Sequence, residues 1–158
     1  MKDIKIRSLN ESDLEVYCDL CSELNKSQGM KEFSRPAPNS LKESIFEVDT
    51  LVAEKNDILV GFISGFKHFN PHNGFWRYII ASLFVLESER KQGIGSDLIR
   101  TVILDKSNKN ISQFAIDVHS DNKKAVTLYN KLGFKTSRND FKNFRLGFQD
   151  LDKFRENS

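Results

Sequence analysis

The sequence predicts an α/β or α+β domain built around a mixed β-sheet. Strand-like and helix-like segments alternate along the 158 residues, as in proteins whose helices pack on a sheet. Two apolar segments, residues 79–86 and 114–118, are each followed by a turn and an amphipathic helical pattern. A polar turn between the apolar residues 51–53 and 58–66 predicts a β-hairpin. We therefore expect one sheet flanked by helices.

A strand and a helix are predicted near the start of the chain. Residues 4–7 alternate apolar and charged side chains, the pattern of a half-buried strand. Asn10 offers a helix cap, and the acidic Glu11 and Asp13 lie in the first turn, where negative charge stabilises a helix. We expect this helix to continue to about Leu24.

Two segments show neither the helical nor the strand periodicity of apolar residues. Residues 25–40 are predicted as a loop or a broken helix that faces substrate, with helix resuming over residues 40–47. Residues 67–78 are predicted as another loop, because they contain Pro71, Gly74 and several aromatic side chains.

The second half of the chain supplies two helices and the closing strands. A helical pattern begins at Ser96. A second helix, from Asn122, is predicted to stop at Gly133, since glycine readily adopts the left-handed conformation that ends helices. The predicted closing strands are residues 134–136 and 143–148.

Composition narrows the class of protein. Hydrophobic residues make up 39% and charged residues 29%, which suits one globular domain over residues 1–158. The net charge of +2, with scattered basic residues, argues against a nucleic-acid partner. No long apolar stretch and no signal-peptide block are present, so we expect a cytoplasmic protein without a membrane partner.

The two cysteines, Cys18 and Cys21, form a CxxC sequence inside a helical pattern. A zinc ribbon needs a second pair, which this sequence lacks. We expect structural thiols that pack as small hydrophobes, with a redox or metal role as the alternative. The three dispersed histidines predict no metal site.

The most informative segment is a glycine turn with the sequence Arg90-Lys91-Gln92-Gly93-Ile94-Gly95. It lies between an apolar strand and a helix, so its backbone N–H groups and the helix dipole favour a bound anion. The dinucleotide pattern needs a third glycine where this chain has Leu98. The nucleoside triphosphatase pattern needs a longer glycine spacing and a lysine.

A basic residue, two further residues and then Gly-x-Gly before a helix resembles the pyrophosphate-binding pattern of the GNAT superfamily of N-acetyltransferases. Asn122, Ala125 and residues 128–134 resemble the helix and strand that follow it there, and residues 83–85 resemble the central strand. These motifs span residues 79–134. The resemblance implies a mixed central sheet in which two neighbouring parallel strands splay apart between flanking helices.

The resemblance also implies acetyl-CoA as the cosubstrate. Its pantetheine arm is expected to bind the strand backbone at Phe84 and Val85, and its pyrophosphate the glycine turn and the helix start. The residues expected there are Arg90, Lys91, Gln92, Gly93, Ile94, Gly95 and Ser96. Asn122 and Tyr129, two helical turns apart, are expected to reach the same cofactor. A solvated surface charge is the alternative for Arg90 and Lys91.

The implied reaction is direct acetyl transfer to a primary amine in a ternary complex. Tyr129 is the expected general acid for the departing thiolate, with a core aromatic residue as the alternative. Asp117 is the candidate general base, at a position that resembles a strand Glu of ribosomal-protein N-terminal acetyltransferases. Other candidate bases are Glu54, His68, His72 and His119. A backbone N–H near Val85 is the implied oxyanion donor.

Several acceptors fit this sequence: a peptide N-terminus, a lysine side chain, an aminoglycoside, a polyamine or another small amine. The segments expected to line the acceptor side are residues 25–40, residues 67–78 and the final strands around Phe141 and Phe144. They are rich in Phe and poor in carboxylates, which favours an amphipathic or aromatic amine or a short peptide. A non-catalytic acyl-CoA-binding sensor or interaction module is the alternative function. We expect a monomer or a homodimer.

Overall fold

A computed structural model describes residues 4–30, 35–107 and 110–136. Contacts divide the chain into two units, one ending at Asn122 and one beginning at Lys123. The strands described are β1 Ile4–Ser8, β2 Asp49–Lys55, β3 Ile58–Asn70, β4 Phe75–Val85 and β5 Ile111–Ile116. The α-helices are α1 Leu14–Ser27, α2 Pro38–Lys42, α3 Ile94–Ser107 and, in the second unit, α4 Lys123–Lys131.

The first unit contains a mixed sheet, as predicted. Strands β1 to β4 form antiparallel pairs in chain order, and β5 lies parallel to β4. The predicted hairpin joins β2 and β3 through Asn56 and Asp57, which have φ of 51° and 61°. Two left-handed residues in such a turn match the twist of the flanking strands. None of the helices described is both long and apolar enough to cross a bilayer.

One face of the sheet packs on α1. Phe62 of β3 lies at the centre of this core: its ring meets Tyr17 of α1 edge-on at 4.8 Å and the ring of Phe84 of β4 at 6.1 Å. The other buried members of this cluster are Leu9, Leu14, Leu20, Ile45, Val52 and Leu59. Asn10, predicted as a helix cap, forms a capping box with Asp13 at the start of a 3₁₀ turn, Glu11–Asp13, which leads into α1.

The other face of the sheet packs on α3. This helix buries Ile94, Leu98, Ile99 and Val102, the spacing of one helical face. Its Lys106 Nζ lies 5.8 Å from the centre of the Tyr78 ring of β4. The sheet thus holds α3, and with it the start of that helix, in a fixed place.

The prediction of a loop over residues 67–78 is wrong. Strand β3 continues to Asn70 and β4 begins at Phe75, so only four residues form the turn. Phe69 and Trp76 face each other across the two strands at 5.2 Å, and such aromatic pairs stabilise a hairpin. The aromatic side chains that suggested a loop therefore extend the sheet.

Smaller differences concern the helix after α1 and the closing strands. Residues 40–47 do not form one helix: α2 ends at Lys42 and a 3₁₀ turn, Ile45–Glu47, follows. Residues 134–136 are not assigned as strand. The predicted strand at 143–148, Phe141 and Phe144, and parts of the 25–40 segment lie outside the described residues.

Both cysteines lie on α1. Cys18 is fully buried and Cys21 half-buried, and both are free thiols. Burial raises the pKa of Cys21 to about 11, which opposes formation of the reactive thiolate. These positions are those of packed structural thiols.

A half-buried ion cluster joins the start of α1 to the sheet. Arg7 of β1 donates to both Asp13 carboxylate oxygens through Nη1 and Nη2, at 2.7 and 2.9 Å, and to Glu54 Oε2 of β2 through Nη2 at 2.6 Å. Asp13 also accepts a hydrogen bond from the Asn10 backbone N–H at 2.9 Å. The hydrogen bonds from Arg7 lower the pKa of Asp13.

This cluster makes stability depend on pH in the acid range. Because the pKa of Asp13 is depressed in the folded state, its stabilisation is present above the ordinary Asp pKa of about 3.9 and is lost as the pH falls below it. We expect Asp13→Asn to lower the free energy of unfolding by about 2 kcal/mol at pH 7. Urea titrations of the two proteins should show that this difference shrinks below about pH 4. Glu43→Gln removes an exposed carboxylate outside the cluster and should show no such trend; a pH-independent difference for Asp13→Asn would contradict the assignment.

Candidate active site

Strands β4 and β5 pair over only part of their length. Their parallel ladder ends at Ile80 and Ile116, whereas β4 continues to Val85. On its other edge β4 stays paired with β3, as far as Val85 opposite Gly61. The last five residues of β4 therefore present an edge without a β5 partner, to which an extended ligand can add.

A β-bulge marks the point where the two strands separate. Ser82 lies opposite Ser64 of β3, and Ile80 lies opposite Gly65, so Ala81 is an extra residue in β4. A bulge bends its strand and increases the local twist, which accounts for the divergence of β4 from β5. Glycine in β3 allows the close approach at this bulge: a Cβ added at Gly65 would lie 2.5 Å from the Ile79 carbonyl oxygen.

Backbone groups of Val85 face the open edge. The N–H of Leu86, the next residue, donates to the Val60 carbonyl of β3 at 2.9 Å. Because the polar groups of successive strand residues point to opposite edges, those of Val85 point away from β3. The backbone groups of Phe84 point toward β3 instead, and its side chain is buried, so the polar contacts expected from Phe84 fall to Val85.

The glycine turn leads from this strand into α3. Lys91 and Gly93 both adopt the left-handed conformation, with φ of 64° and 89°. The Gly93 carbonyl accepts the N–H of Asp97 at 3.0 Å, so α3 begins at Ile94, two residues before the predicted start. First-turn N–H groups have no partner within a helix. Those of Ile94, Gly95 and Ser96 are therefore placed where a helix start can accommodate an anion.

Arg90 ties the glycine turn back to the end of β4. Its Nε donates to the Val85 carbonyl oxygen at 2.9 Å, and its guanidinium lies 5.8 Å from the centre of the Phe84 ring. Lys91 and Gly93 are exposed, and Gln92 is half-buried. The structure thus brings together all seven residues predicted around the pyrophosphate and both residues predicted around the pantetheine arm.

Asp117 lies one residue beyond the end of β5 and is exposed. We predicted it within the strand that faces the gap, with its side chain on the opposite face from Ile116 and Val118. The strand ends earlier because β4 offers no ladder partner after Ile80. Asn122 precedes α4 and is also exposed.

The other candidate bases either have partners elsewhere or lie at the far end of β4 from the glycine turn. Arg7 binds Glu54. His68 pairs with Arg77 near the start of β4, and His72 lies in the turn before that strand. His119 Nδ1 accepts the Asp121 backbone N–H at 3.3 Å, so a neutral His119 carries its proton on Nε2. Nδ1, the acceptor nitrogen of this tautomer, is therefore already engaged by the backbone of Asp121.

In the second unit, Tyr129 lies in the last turn of α4. The predicted helix stop at Gly133 is confirmed: its φ is 90°, and Phe134 N–H donates to the Tyr129 carbonyl at 3.0 Å, as in a Schellman cap. The Tyr129 and Phe134 rings lie 6.0 Å apart. Burial raises the pKa of the Tyr129 phenol.

A family model described as an acetyltransferase (GNAT) domain matches residues 21–153. Two curated proteins are similar in sequence. The mouse protein named thialysine N-epsilon-acetyltransferase is 28% identical, over 84% of this chain and 85% of that protein. Human N-acetyltransferase 8 is 30% identical over 57% of this chain, and the match spans 40% of its own length.

Among solved structures, an aminoglycoside acetyltransferase from an uncultured soil metagenomic sample, in complex with trehalose, superposes with a TM-score of 0.77. The match covers 92% of this chain and 96% of that one at 21% sequence identity. At that identity the likeness concerns the fold, and it includes the mixed sheet and its flanking helices.

Proposed function

Because this chain belongs to the GNAT family of acetyltransferases, we propose that it moves an acetyl group from acetyl-CoA to a primary amine by direct transfer in a ternary complex. The observation that carries the proposal is the end of β4, where an edge without a β5 partner leads into the glycine turn and the start of α3. An open strand edge can pair with the amide groups of a pantetheine arm, and a helix start binds a pyrophosphate.

In the proposed complex, the pantetheine arm lies along the end of β4, beside Phe84 and Val85. Val85 offers its N–H to the thioester carbonyl at the end of that arm, since its own carbonyl accepts from Arg90. The N–H groups of Gln92, Gly93, Ile94, Gly95 and Ser96 bind the pyrophosphate, and the Ser96 hydroxyl is a further donor. Arg90 and Lys91 supply positive charge, and Asn122 and Tyr129 complete the proposed contacts.

The proposed transfer forms a bond from the amine nitrogen to the acetyl carbon and breaks the bond from that carbon to sulfur. Asp117, directly or through a water, takes the proton that the amine must lose. The Val85 N–H stabilises the oxyanion of the tetrahedral intermediate. Tyr129 gives its proton to the departing thiolate; a phenol, with an ordinary pKa of about 10, still carries that proton at neutral pH, and burial raises the pKa of Tyr129 further.

The proposal treats both units as one catalytic domain over residues 1–158. The family match supports this, since it runs from residue 21 to residue 153 across the boundary at Asn122.

Similar proteins support an amine as the acceptor. One is named for thialysine and its ε-nitrogen, and the other for aminoglycosides. We therefore place thialysine, lysine and aminoglycosides first in an acceptor panel, followed by short peptides, polyamines and amphipathic or aromatic amines.

Calorimetry and an acceptor panel test the proposal. The protein should bind CoA and acetyl-CoA but not NAD or ATP, and tight binding of NAD or ATP would overturn the choice of cofactor. With acetyl-CoA present, at least one amine should cause release of free thiol above the rate without acceptor. CoA binding with no thiol release across the panel would instead favour an acyl-CoA sensor.

A further inference from the structure

We propose that Lys55, Glu89 and Gln92 form a clamp that holds the glycine turn in the conformation that binds CoA. The proposal rests on the function proposed above, in which this turn binds the pyrophosphate. Glu89 Oε2 accepts hydrogen bonds from Lys55 Nζ at 2.6 Å and from Gln92 Nε2 at 2.8 Å. Lys55 Nζ also lies 3.4 Å from Gln92 Oε1, so the three side chains form a closed triangle.

The clamp connects the turn to a rigid part of the sheet. Lys55 is the last residue of β2 and pairs with Ile4 of β1 and Ile58 of β3. Glu89 ends the 3₁₀ turn that follows β4, and Gln92 belongs to the glycine turn itself. A contact between residues 34 positions apart in sequence thus links the turn to a strand on the far side of β3.

The turn needs such support because its backbone is strained. Lys91, between Glu89 and Gln92 in sequence, has a φ of 64°. A non-glycine residue in the left-handed region persists where its surroundings hold it there. Clamping Gln92 beside Lys91 fixes the direction of the N–H groups that follow, and a preorganised site loses less entropy when its ligand binds.

The sign of the Glu89 charge separates this role from a purely electrostatic one. A carboxylate beside a pyrophosphate site repels the ligand, so an electrostatic role predicts that removing the charge of Glu89 strengthens CoA binding. The clamp predicts the opposite. A Lys55 variant does not distinguish the two roles, because loss of its positive charge weakens CoA binding under both. The hydrogen bond from Lys55 lowers the pKa of Glu89, so the carboxylate is ionised at neutral pH.

The test compares CoA affinity by calorimetry in Glu89→Gln, Lys55→Met and the double variant. We expect each single change to raise the Kd for CoA about fivefold. The double variant should have a Kd for CoA no higher than that of the more impaired single variant, because each change removes the same clamp. Lys55→Arg should restore most of the affinity. The melting temperature, and kcat at saturating acetyl-CoA, should stay near the wild-type values.

Glu87→Gln is the matched control for charge, since Glu87 lies two residues away in the same turn, is 87% exposed and meets Arg90 Nη1 at 4.0 Å, beyond hydrogen-bond distance. Its Kd should stay within about twofold of wild type. Wild-type affinity or tighter binding in Glu89→Gln would overturn the clamp while leaving the proposed function intact. Failure of the wild-type protein to bind CoA would overturn the proposed function, and the clamp with it.

Discussion

Replacing Tyr129 by Phe is expected to lower kcat about hundredfold while leaving the Kd for CoA within about twofold of wild type. The change removes only the hydroxyl, the group proposed to protonate the departing thiolate. The ring contact with Phe134 at 6.0 Å and the glycine cap of α4 are kept. Steady-state kinetics by thiol release, with CoA calorimetry, separates the loss of chemistry from a loss of binding.

Tyr17→Phe is the matched control for this experiment. It also removes one phenol hydroxyl, which lies 3.3 Å from Ser64 Oγ in the core of the first unit, far from the glycine turn in sequence. We expect a loss of stability of about 1 kcal/mol and an unchanged kcat. If Tyr129→Phe turns over as fast as wild type, Tyr129 is not the general acid.

Phe62→Ala should lower the free energy of unfolding by about 3–5 kcal/mol. Its side chain is 1% exposed and lies between the rings of Tyr17 and Phe84, so truncation leaves a cavity that neighbouring strands and α1 cannot fill. Equilibrium unfolding in urea measures the loss. Because Phe84 belongs to the open edge of β4, acetyl-CoA affinity should also fall in this variant.

Two further variants serve as controls for the size of this stability loss. Phe62→Leu keeps much of the buried volume and should cost less than half as much. Phe46→Ala removes the same atoms from a residue that is 49% exposed, and its stability should lie within about 0.5 kcal/mol of wild type. A loss below about 1 kcal/mol for Phe62→Ala would show that the core does not depend on this ring.

Local sequence pattern predicts most of the secondary structure. The hairpin turn, the helix cap at Asn10 and the helix stop at Gly133 are each specified by residues close in sequence. The long β3–β4 hairpin is missed because its support, the pairing of Phe69 with Trp76, is a contact across strands. Such contacts leave no period along the chain.

The candidate site is predicted only where its residues are consecutive. The glycine turn stands out because six neighbouring residues define it. Glu54 looks like a candidate base until the structure shows Arg7, 47 residues away, bound to it. The clamp between Lys55 and Glu89 also cannot be predicted from the sequence, since nothing in the sequence distinguishes these two residues from other charged surface residues. Contacts between distant residues decide these roles.

The extra residue at Ala81 changes the parity of β4. Tyr78 and Phe84 are six residues apart, so in a regular strand both side chains would lie on the same face of the sheet. Here Tyr78 contacts α3 and Phe84 contacts the core beneath α1. The same shift by one residue also exchanges which residues of β4 direct their backbone N–H and C=O groups toward β3 and which direct them toward β5. A single added residue therefore decides that Val85, and not its neighbours, offers its N–H to the space where β4 and β5 part.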